Sequence, residues 1–119
     1  MSRLTVPKTF KLYIGGKFPR TESGRSIPVE NQKGEIVAHI CHGSRKDFRD
    51  AVEVADKAFA TWSSMSAYLR GQILYRMAEM LEGRREEFAA AIQVTQQVTP
   101  ATAKSEVEAS VDRLVCFAG

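Results

Sequence analysis

The chain has 119 residues, of which 44% are hydrophobic and 26% are charged, and its formal net charge is +3. This length holds at most one domain, and this composition is typical of a globular protein rather than a disordered one. The basic residues are scattered through predicted turns and helix surfaces, which argues against a nucleic-acid partner. No apolar run approaches the roughly 20 residues needed to cross a bilayer, so no membrane partner is expected.

The N-terminal residues 1–9 predict a tether with little to bury, and they lack the apolar core of a signal peptide. Cys41 and Cys116 are the only cysteines, and two cysteines make neither a disulfide framework nor a zinc site. We therefore expect a reducing, cytoplasmic compartment. Cys41 ends a predicted strand, and Cys116 lies near a predicted helix C-terminus, where the helix dipole opposes a thiolate. Neither is predicted to be a nucleophile.

Short β-strands and hairpins are predicted over residues 10–43. The pair Gly15-Gly16 supplies a two-residue hairpin turn, because glycine accepts the positive φ angles that such turns need. Gly34 lies in a second predicted turn. Three segments are predicted to be extended, the first because apolar and mixed residues alternate along it and the last because its residues divide between two faces of a strand. These segments are residues 10–14, 26–31 and 35–41.

A helical segment is predicted over residues 44–119, with about four helices. Ser44 is a suitable N-cap for the first helix, and Asp47 three residues later completes an acidic form of the capping box. Ser66 is a suitable N-cap for the second helix, and Gly83 a suitable C′ residue after it. In the first helix, the apolar residues recur at steps of three and four. They are Phe48, Ala51, Val52, Ala55, Ala58, Phe59 and Trp62.

The second helix repeats this pattern, and a third helix is predicted from residue 84 to about residue 92. Pro100 makes a firm break, after which a fourth helix runs from about residue 101 toward residue 119. Strands this short and helices with apolar stripes do not make an obvious closed core. The fourth helix also stops without a polar ending, so the sequence predicts a piece that expects more protein. The apolar stripe of the second helix comprises Leu69, Ile73, Leu74, Met77, Ala78 and Leu81.

Several stretches, in this order and spacing, resemble the aldehyde dehydrogenase superfamily. The resemblance covers residues 10 to 119 approximately and corresponds only to the N-terminal part of such an enzyme. The stretches are Leu12-Tyr13-Ile14-Gly15-Gly16-Lys17-Phe18, Asn31 with Gly34-Glu35-Ile36, the first-helix stripe, Arg70 to Glu82, and Phe117-Ala118-Gly119.

This resemblance implies the N-terminal part of the α/β aldehyde dehydrogenase fold, here short β-hairpin strands followed by about four α-helices. Enzymes of the family oxidise aldehydes to carboxylic acids with NAD or NADP, through a cysteine thiolate. Their catalytic cysteine, glutamate and cofactor sheet lie downstream of these residues. The segment is therefore expected to hold no catalytic, cofactor-binding or metal residues. Its implied partners are the remainder of the chain or a full-length relative, within a homo-oligomer.

Two sites follow from the resemblance. Ser105, Ala109 and Arg113 correspond to the wall of the substrate entrance, although inter-helix packing or a surface position would explain them equally well. A structural monovalent cation would use the backbone of Val29 and Glu30 together with Gln96. A neutral Gln96 stands where the family commonly has an acidic residue, which weakens this prediction.

Two alternatives complete the expectations. His39, Cys41 and His42 have the residue types of a metal site, but only three local ligands are available and no second cluster exists. The segment could instead be a stand-alone, non-catalytic interaction module derived from the same family.

Overall fold

A computed structural model describes residues 6–119 of the chain. The chain divides into unit 1, which ends at Phe59, and unit 2, which runs from Ala60 to Gly119. Three strands precede four helices, as the sequence predicts. The elements are β1 (Lys8–Phe10), β2 (Ser26–Glu30), β3 (Ile36–Cys41), α1 (Arg45–Ser64), α2 (Ala67–Gly83), α3 (Arg85–Gln96) and α4 (Pro100–Ala118).

The sheet of unit 1 is centred on β3, which pairs with β1 in parallel and with β2 in antiparallel orientation. Predicted segments 26–31 and 35–41 are confirmed as β2 and β3. Pro28 lies opposite His39 in β2, where the missing N–H of proline is harmless because β2 is an edge strand. Only Ala38, at the centre of β3, is a buried apolar residue in this sheet.

Residues 10–14 do not form one continuous strand as predicted, because Phe10 ends β1 and Ile14 forms only an isolated bridge with Lys17, but the predicted turn is confirmed. Gly15 and Gly16 have φ angles of 64° and 76°. Ile14 and Lys17 exchange two backbone hydrogen bonds across them, of 3.0 and 3.1 Å. The ladder that pairs with β3 lies instead at Lys8–Phe10, so residues 8 and 9 are not a tether. The tether was predicted because these residues have few side chains to bury. Main-chain pairing with β3 does not need buried side chains, so that reasoning misses β1. Residues 1–5 of the predicted tether lie outside the described residues.

The helix N-termini follow the capping predictions. The backbone N–H of Asp47 donates to Ser44 Oγ at 3.2 Å, and the N–H of Ser44 donates to Asp47 Oδ2 at 2.8 Å. The N–H of Leu69 donates to Ser66 Oγ at 3.2 Å, which caps α2. Gly83 is the last residue of α2 rather than its C′ residue, and it has no positive φ.

Unit 2 packs α4 on both α2 and α3. Small residues bring the helices together: Gly71 and Ala78 of α2 and Ala103 and Val107 of α4 are buried. A Cβ added to Gly71 would lie 2.2 Å from the carbonyl oxygen of Ala118. The backbones of α2 and α4 therefore approach closely at a point where only glycine fits.

Most of the apolar stripes predicted from the helical spacing remain exposed in the described residues. On α2, Ala78 is buried, but Leu69, Ile73 and Met77 are 47%, 41% and 50% exposed. The chain has 9580 Å² of accessible surface. Two compact globules, each of half its mass, would together expose about 7,700 Å². Large apolar side chains such as Phe48, Tyr68 and Phe117, which are 72%, 72% and 79% exposed, contribute to this surface.

Candidate functional site

The predicted substrate-entrance residues share one face of α4. Ser105, Ala109 and Arg113 are spaced by four residues, so they lie along one side of the helix. Ser105 and Arg113 are exposed, while Ala109 is half-buried. Because alanine is small, this face offers little side-chain bulk at its middle position.

Two surface grooves in unit 2 lie beside other parts of α4. One, of about 510 Å³, is lined by Tyr68, Tyr75 and Val115, together with residues at the end of α4. Another, of about 350 Å³, runs between α3 and α4 and is lined by Lys104 and by other residues of both helices. Ser105, Ala109 and Arg113 line neither of these two grooves, and their assignment to a substrate entrance stays a prediction.

The predicted cation residues are divided between the units. Val29 and Glu30 lie at the end of β2, where the register with β3 shifts. Gln96 is the last residue of α3, and Gln97 after it adopts a left-handed conformation with φ of 54°. Since Gln96 belongs to unit 2 and the strand residues to unit 1, the cation site stays a prediction.

The most constrained polar cluster surrounds Asp47, at the start of α1. Asp47 and Thr21 are buried, with 8% and 6% of their surfaces exposed. Thr21 Oγ1 donates a hydrogen bond to Asp47 Oδ2, and the N–H of Glu22 donates to Oδ1 at 3.2 Å. The N–H of Ser44 supplies the third donor. The cluster therefore ties the loop after the hairpin to the helix N-terminus.

These donors stabilise the charged form of the carboxylate. The Thr21 hydroxyl, and after it the Ser44 N–H, lower the pKa of Asp47 from 3.8 to about 2. A carboxylate with so low a pKa, and with its oxygens occupied by donors, is a poor general base at neutral pH. Its role is structural, because it holds the loop after the hairpin against the N-terminus of α1. The sequence indicates the Ser44–Asp47 half of the cluster, but no local signal indicates Thr21, which lies 26 residues before Asp47.

Two of the candidate metal ligands, His39 and Cys41, lie on β3, and His42 follows it directly. Cys41 Sγ lies 3.3 Å from the Phe10 carbonyl oxygen, to which the thiol donates. The Nδ1 atom of His39 is buried and has no hydrogen-bond partner in the described part of the chain. Among residues 6–119, no group of three histidine, cysteine or acidic side chains lies close enough to hold a metal ion. Cys116 is exposed near the end of α4.

The two glycines of the hairpin do not form a phosphate-binding loop. Gly15 and Gly16 join Ile14 to Lys17, and no helix follows them directly. A phosphate-binding loop instead directs backbone N–H groups from a glycine-rich turn that opens a helix. Their role in unit 1 is to reverse the chain.

Known structures share this arrangement of three strands and four helices. The NAD-dependent aldehyde dehydrogenase from Sinorhizobium meliloti superposes with a TM-score of 0.89 and 27% sequence identity. The match covers 96% of this chain and 24% of that structure. The fold is therefore the N-terminal portion of an α/β aldehyde dehydrogenase fold.

The sequence comparisons agree with the structural one. The model of the aldehyde dehydrogenase family matches residues 18–119. The α-ketoglutaric semialdehyde dehydrogenase of Bacillus subtilis is 31% identical over 121 aligned residues, which cover 100% of this chain and 25% of the relative. The mitochondrial benzaldehyde dehydrogenase of Antirrhinum majus is 39% identical over 83 residues, covering 67% of this chain and 16% of the relative.

This chain belongs to the aldehyde dehydrogenase family. It corresponds to the N-terminal segment of the family fold and spans about a quarter or less of the length of the curated relatives that it matches. The family and fold predicted from the sequence are confirmed. None of the helices in residues 6–119 combines the length and apolar character that crossing a bilayer requires.

Proposed function

We propose that this chain is the N-terminal structural segment of an NAD(P)-dependent oxidoreductase that converts an aldehyde to a carboxylic acid, and that the segment is not catalytic by itself. The observation that carries the proposal is the match of the whole chain to 25% of a semialdehyde dehydrogenase at 31% identity. The structurally similar Sinorhizobium enzyme is NAD-dependent, which favours NAD over NADP in the complete enzyme.

The division of labour within the segment follows the sequence predictions. Residues 10–43, extended to Lys8 by the observed β1, contribute short strands and hairpins, and residues 44–119 pack on the cofactor-binding domain. The exposed residues Leu69, Ile73 and Met77 of α2 support this packing, because they form an apolar stripe four residues apart. Covering such a stripe removes apolar surface from water, which stabilises by about 25 cal/mol per Å². The partner is the remainder of a dehydrogenase chain, within a cytoplasmic homo-oligomer.

Ser105, Ala109 and Arg113 are proposed to face the substrate entrance of the complete enzyme. Ala109→Trp in the complete enzyme should raise KM for bulky aldehydes and leave KM for small ones nearly unchanged. Ala101→Trp, at an exposed position at the start of α4, is the matched control. Equal KM values for the Ala109 variant and the control would contradict the assignment. The weaker cation site of Val29, Glu30 and Gln96 predicts that Gln96→Glu strengthens the dependence of stability on monovalent cations.

The structural role is tested by reading the transcript beyond the codon for Gly119. We expect an in-frame extension that encodes a cysteine nucleophile and a cofactor-binding region. A stop codon at this point would favour the alternative, a stand-alone interaction module derived from the family. The isolated 119-residue chain is then mixed with NAD+ or NADP+ and a panel of aldehydes. Turnover by the chain alone would contradict its non-catalytic role.

A further inference from the structure

Near its end, α4 touches the backbone of α2 directly, with no side chain between the two. A Cβ added to the buried Gly71 would lie 2.2 Å from the carbonyl oxygen of Ala118 and 3.3 Å from its carbonyl carbon. Ordinary van der Waals contact with a Cβ begins at 3.4 Å. With any larger residue at position 71, the end of α4 would therefore lie about 1 Å further from α2.

The side of α4 that meets α2 is opposite to the side that carries the predicted substrate-entrance residues. Ala109 is nine residues before Ala118, which at 100° per residue places the two on opposite sides of the helix. Val107, only 3% exposed, lies within about 20° of Ala118 and so shares its side. Ser105 and Arg113 lie about 140° from Ala118. A movement of α4 away from α2 therefore carries the entrance residues outward, in the direction that they face.

The helix passes this movement along its length. Since Ala103 has no exposed surface, the start of α4 is held in place by its neighbours. Ala103 and Ala118 are separated by about 22 Å along the helix axis. With Ala103 as the pivot of a rigid helix, a shift of about 1 Å at Ala118 becomes about 0.4 Å at Ala109 and about 0.7 Å at Arg113.

We propose that Gly71 is a positioning residue that sets the width of the substrate entrance in the complete enzyme, an inference that rests on the proposed function. Because Gly71 has no Cβ, α4 lies close to α2 and the face with Ser105, Ala109 and Arg113 is drawn back from the entrance. Gly71 acts only through the backbone of α4. Shifts of a fraction of an ångström matter here, because a single methylene group in a binding pocket changes specificity by about 10- to 200-fold.

The experiment is steady-state kinetics of the complete enzyme with acetaldehyde and benzaldehyde at saturating cofactor. Gly71→Ala should raise KM for benzaldehyde about threefold to tenfold, because the displaced face of α4 narrows the entrance. KM for acetaldehyde and kcat for both aldehydes should stay nearly unchanged, since the reacting atoms are not touched. Gly83→Ala, where an added Cβ meets nothing within 4 Å, is the matched control. Thr21→Val, which removes a hydrogen bond in unit 1, controls for loss of stability alone.

A second substitution on the opposite side of α4 separates positioning from instability. Adding Ala109→Gly to Gly71→Ala removes a methyl group from the displaced face, so KM for benzaldehyde should return towards the parent value. Glycine weakens a helix, so a variant impaired only through instability would become worse instead. Val107→Ala tests the same geometry without a clash. It shortens a buried side chain, lets α4 settle inward and should lower KM for benzaldehyde.

Each outcome decides for or against the positioning role. Equal ratios of the two KM values in Gly71→Ala and Gly83→Ala would overturn it, as would a fall in kcat for both aldehydes that Ala109→Gly does not rescue. If Gly71→Ala does not fold, Val107→Ala decides, and an unchanged or raised KM for benzaldehyde overturns the role. If Ala109→Trp raises KM for benzaldehyde but Gly71→Ala does not, only the role of Gly71 fails. If neither does, the entrance assignment fails as well.

Discussion

The contacts inside unit 1 differ in kind from the contacts inside unit 2. In unit 1, a loop is joined to α1 through a buried carboxylate, Asp47, that accepts hydrogen bonds from Thr21, Glu22 and Ser44. In unit 2, α2 and α4 meet through small buried residues, with the backbone of Ala118 directly over Gly71. Unit 1 thus depends on hydrogen-bond donors and on charge, whereas unit 2 depends on volume.

This difference in contacts predicts which kinds of substitution should destabilise each unit. An interior whose buried apolar members are alanine, valine and glycine has no room for added atoms, so overpacking is its main weakness. A buried carboxylate is stable only while its donors remain, so deleting a donor or protonating the acid is the main weakness of unit 1. Changes of matched size at the two places should therefore separate the two kinds of contact.

The largest effect is expected for Gly71→Ala in unit 2. The added methyl group would meet the Ala118 carbonyl oxygen at 2.2 Å, so the helices must move apart. Alanine gains about 1 kcal/mol of helix propensity over glycine, but overpacking costs typically 1–3 kcal/mol and occasionally more. Since the added methyl group meets a backbone atom, we expect the upper end of this range, about 3 kcal/mol, and therefore a net loss of about 2 kcal/mol in the free energy of unfolding, measured by urea denaturation.

Gly83→Ala is the matched control for this substitution. Gly83 also lies in α2, but an added Cβ there meets nothing within 4 Å. It should be neutral or stabilising by up to about 1 kcal/mol. Equal losses for the two variants would show that close helix approach at Gly71 is not what limits unit 2.

A smaller loss is expected for Thr21→Val in unit 1. Valine keeps the shape of threonine but removes the hydroxyl that donates to Asp47, leaving one carboxylate oxygen with fewer donors. The expected loss is about 1–2 kcal/mol in the free energy of unfolding. Thr61→Val, at an exposed position of α1, should change it by less than about 0.5 kcal/mol. A neutral Thr21→Val would mean that the hydroxyl contributes nothing net to unit 1.

Loss of a helix cap should have a still smaller effect. Ser66→Ala removes the oxygen that accepts from the Leu69 N–H at the start of α2. A cap of this kind is worth about 1 kcal/mol. Ser63→Ala, whose hydroxyl makes only an exposed bond to the Ala60 carbonyl, is the control and should be close to neutral. Thermal unfolding in which both serine variants match the parent would exclude capping as a contribution.

The sequence predicts local structure well and long-range contacts poorly. Capping by Ser44 and Ser66 and the turn at Gly15-Gly16 are encoded within four residues, and each is confirmed. The pairing of β1 with β3 and the bond from Thr21 to Asp47 join residues 26 or more positions apart, and no local pattern specifies them.

Periodicity also predicts which helix positions are apolar without showing which neighbour covers them. On α2, Ala78 is buried, yet Leu69 and Met77 remain half-exposed. Both kinds of position obey the same helical spacing, so the sequence pattern cannot separate them. The sequence resemblance predicts the family correctly because many weak matches are summed along the chain. For the same reason it places Ser105, Ala109 and Arg113 on one helix face without showing what that face meets.

The smallest expected effect is the loss of stability of unit 1 in acid, when Asp47 becomes protonated. The pKa of Asp47 falls from 3.8 to about 2 on folding, chiefly through the Thr21 hydroxyl, so the unfolded chain binds the proton more tightly. The stabilisation is therefore complete above about pH 4 and is lost as the pH falls toward 2. Asp47→Asn cannot titrate, so the difference in unfolding midpoint between parent and variant should shrink over this interval. In Asp50→Asn only an exposed pair with Lys46 at 3.6 Å is lost, so it should differ little from the parent at any pH. The difference in unfolding midpoint between the parent and Asp47→Asn is measured from about pH 5 to about pH 2. If it stays constant, the hydrogen bonds around Asp47 do not favour its charged form.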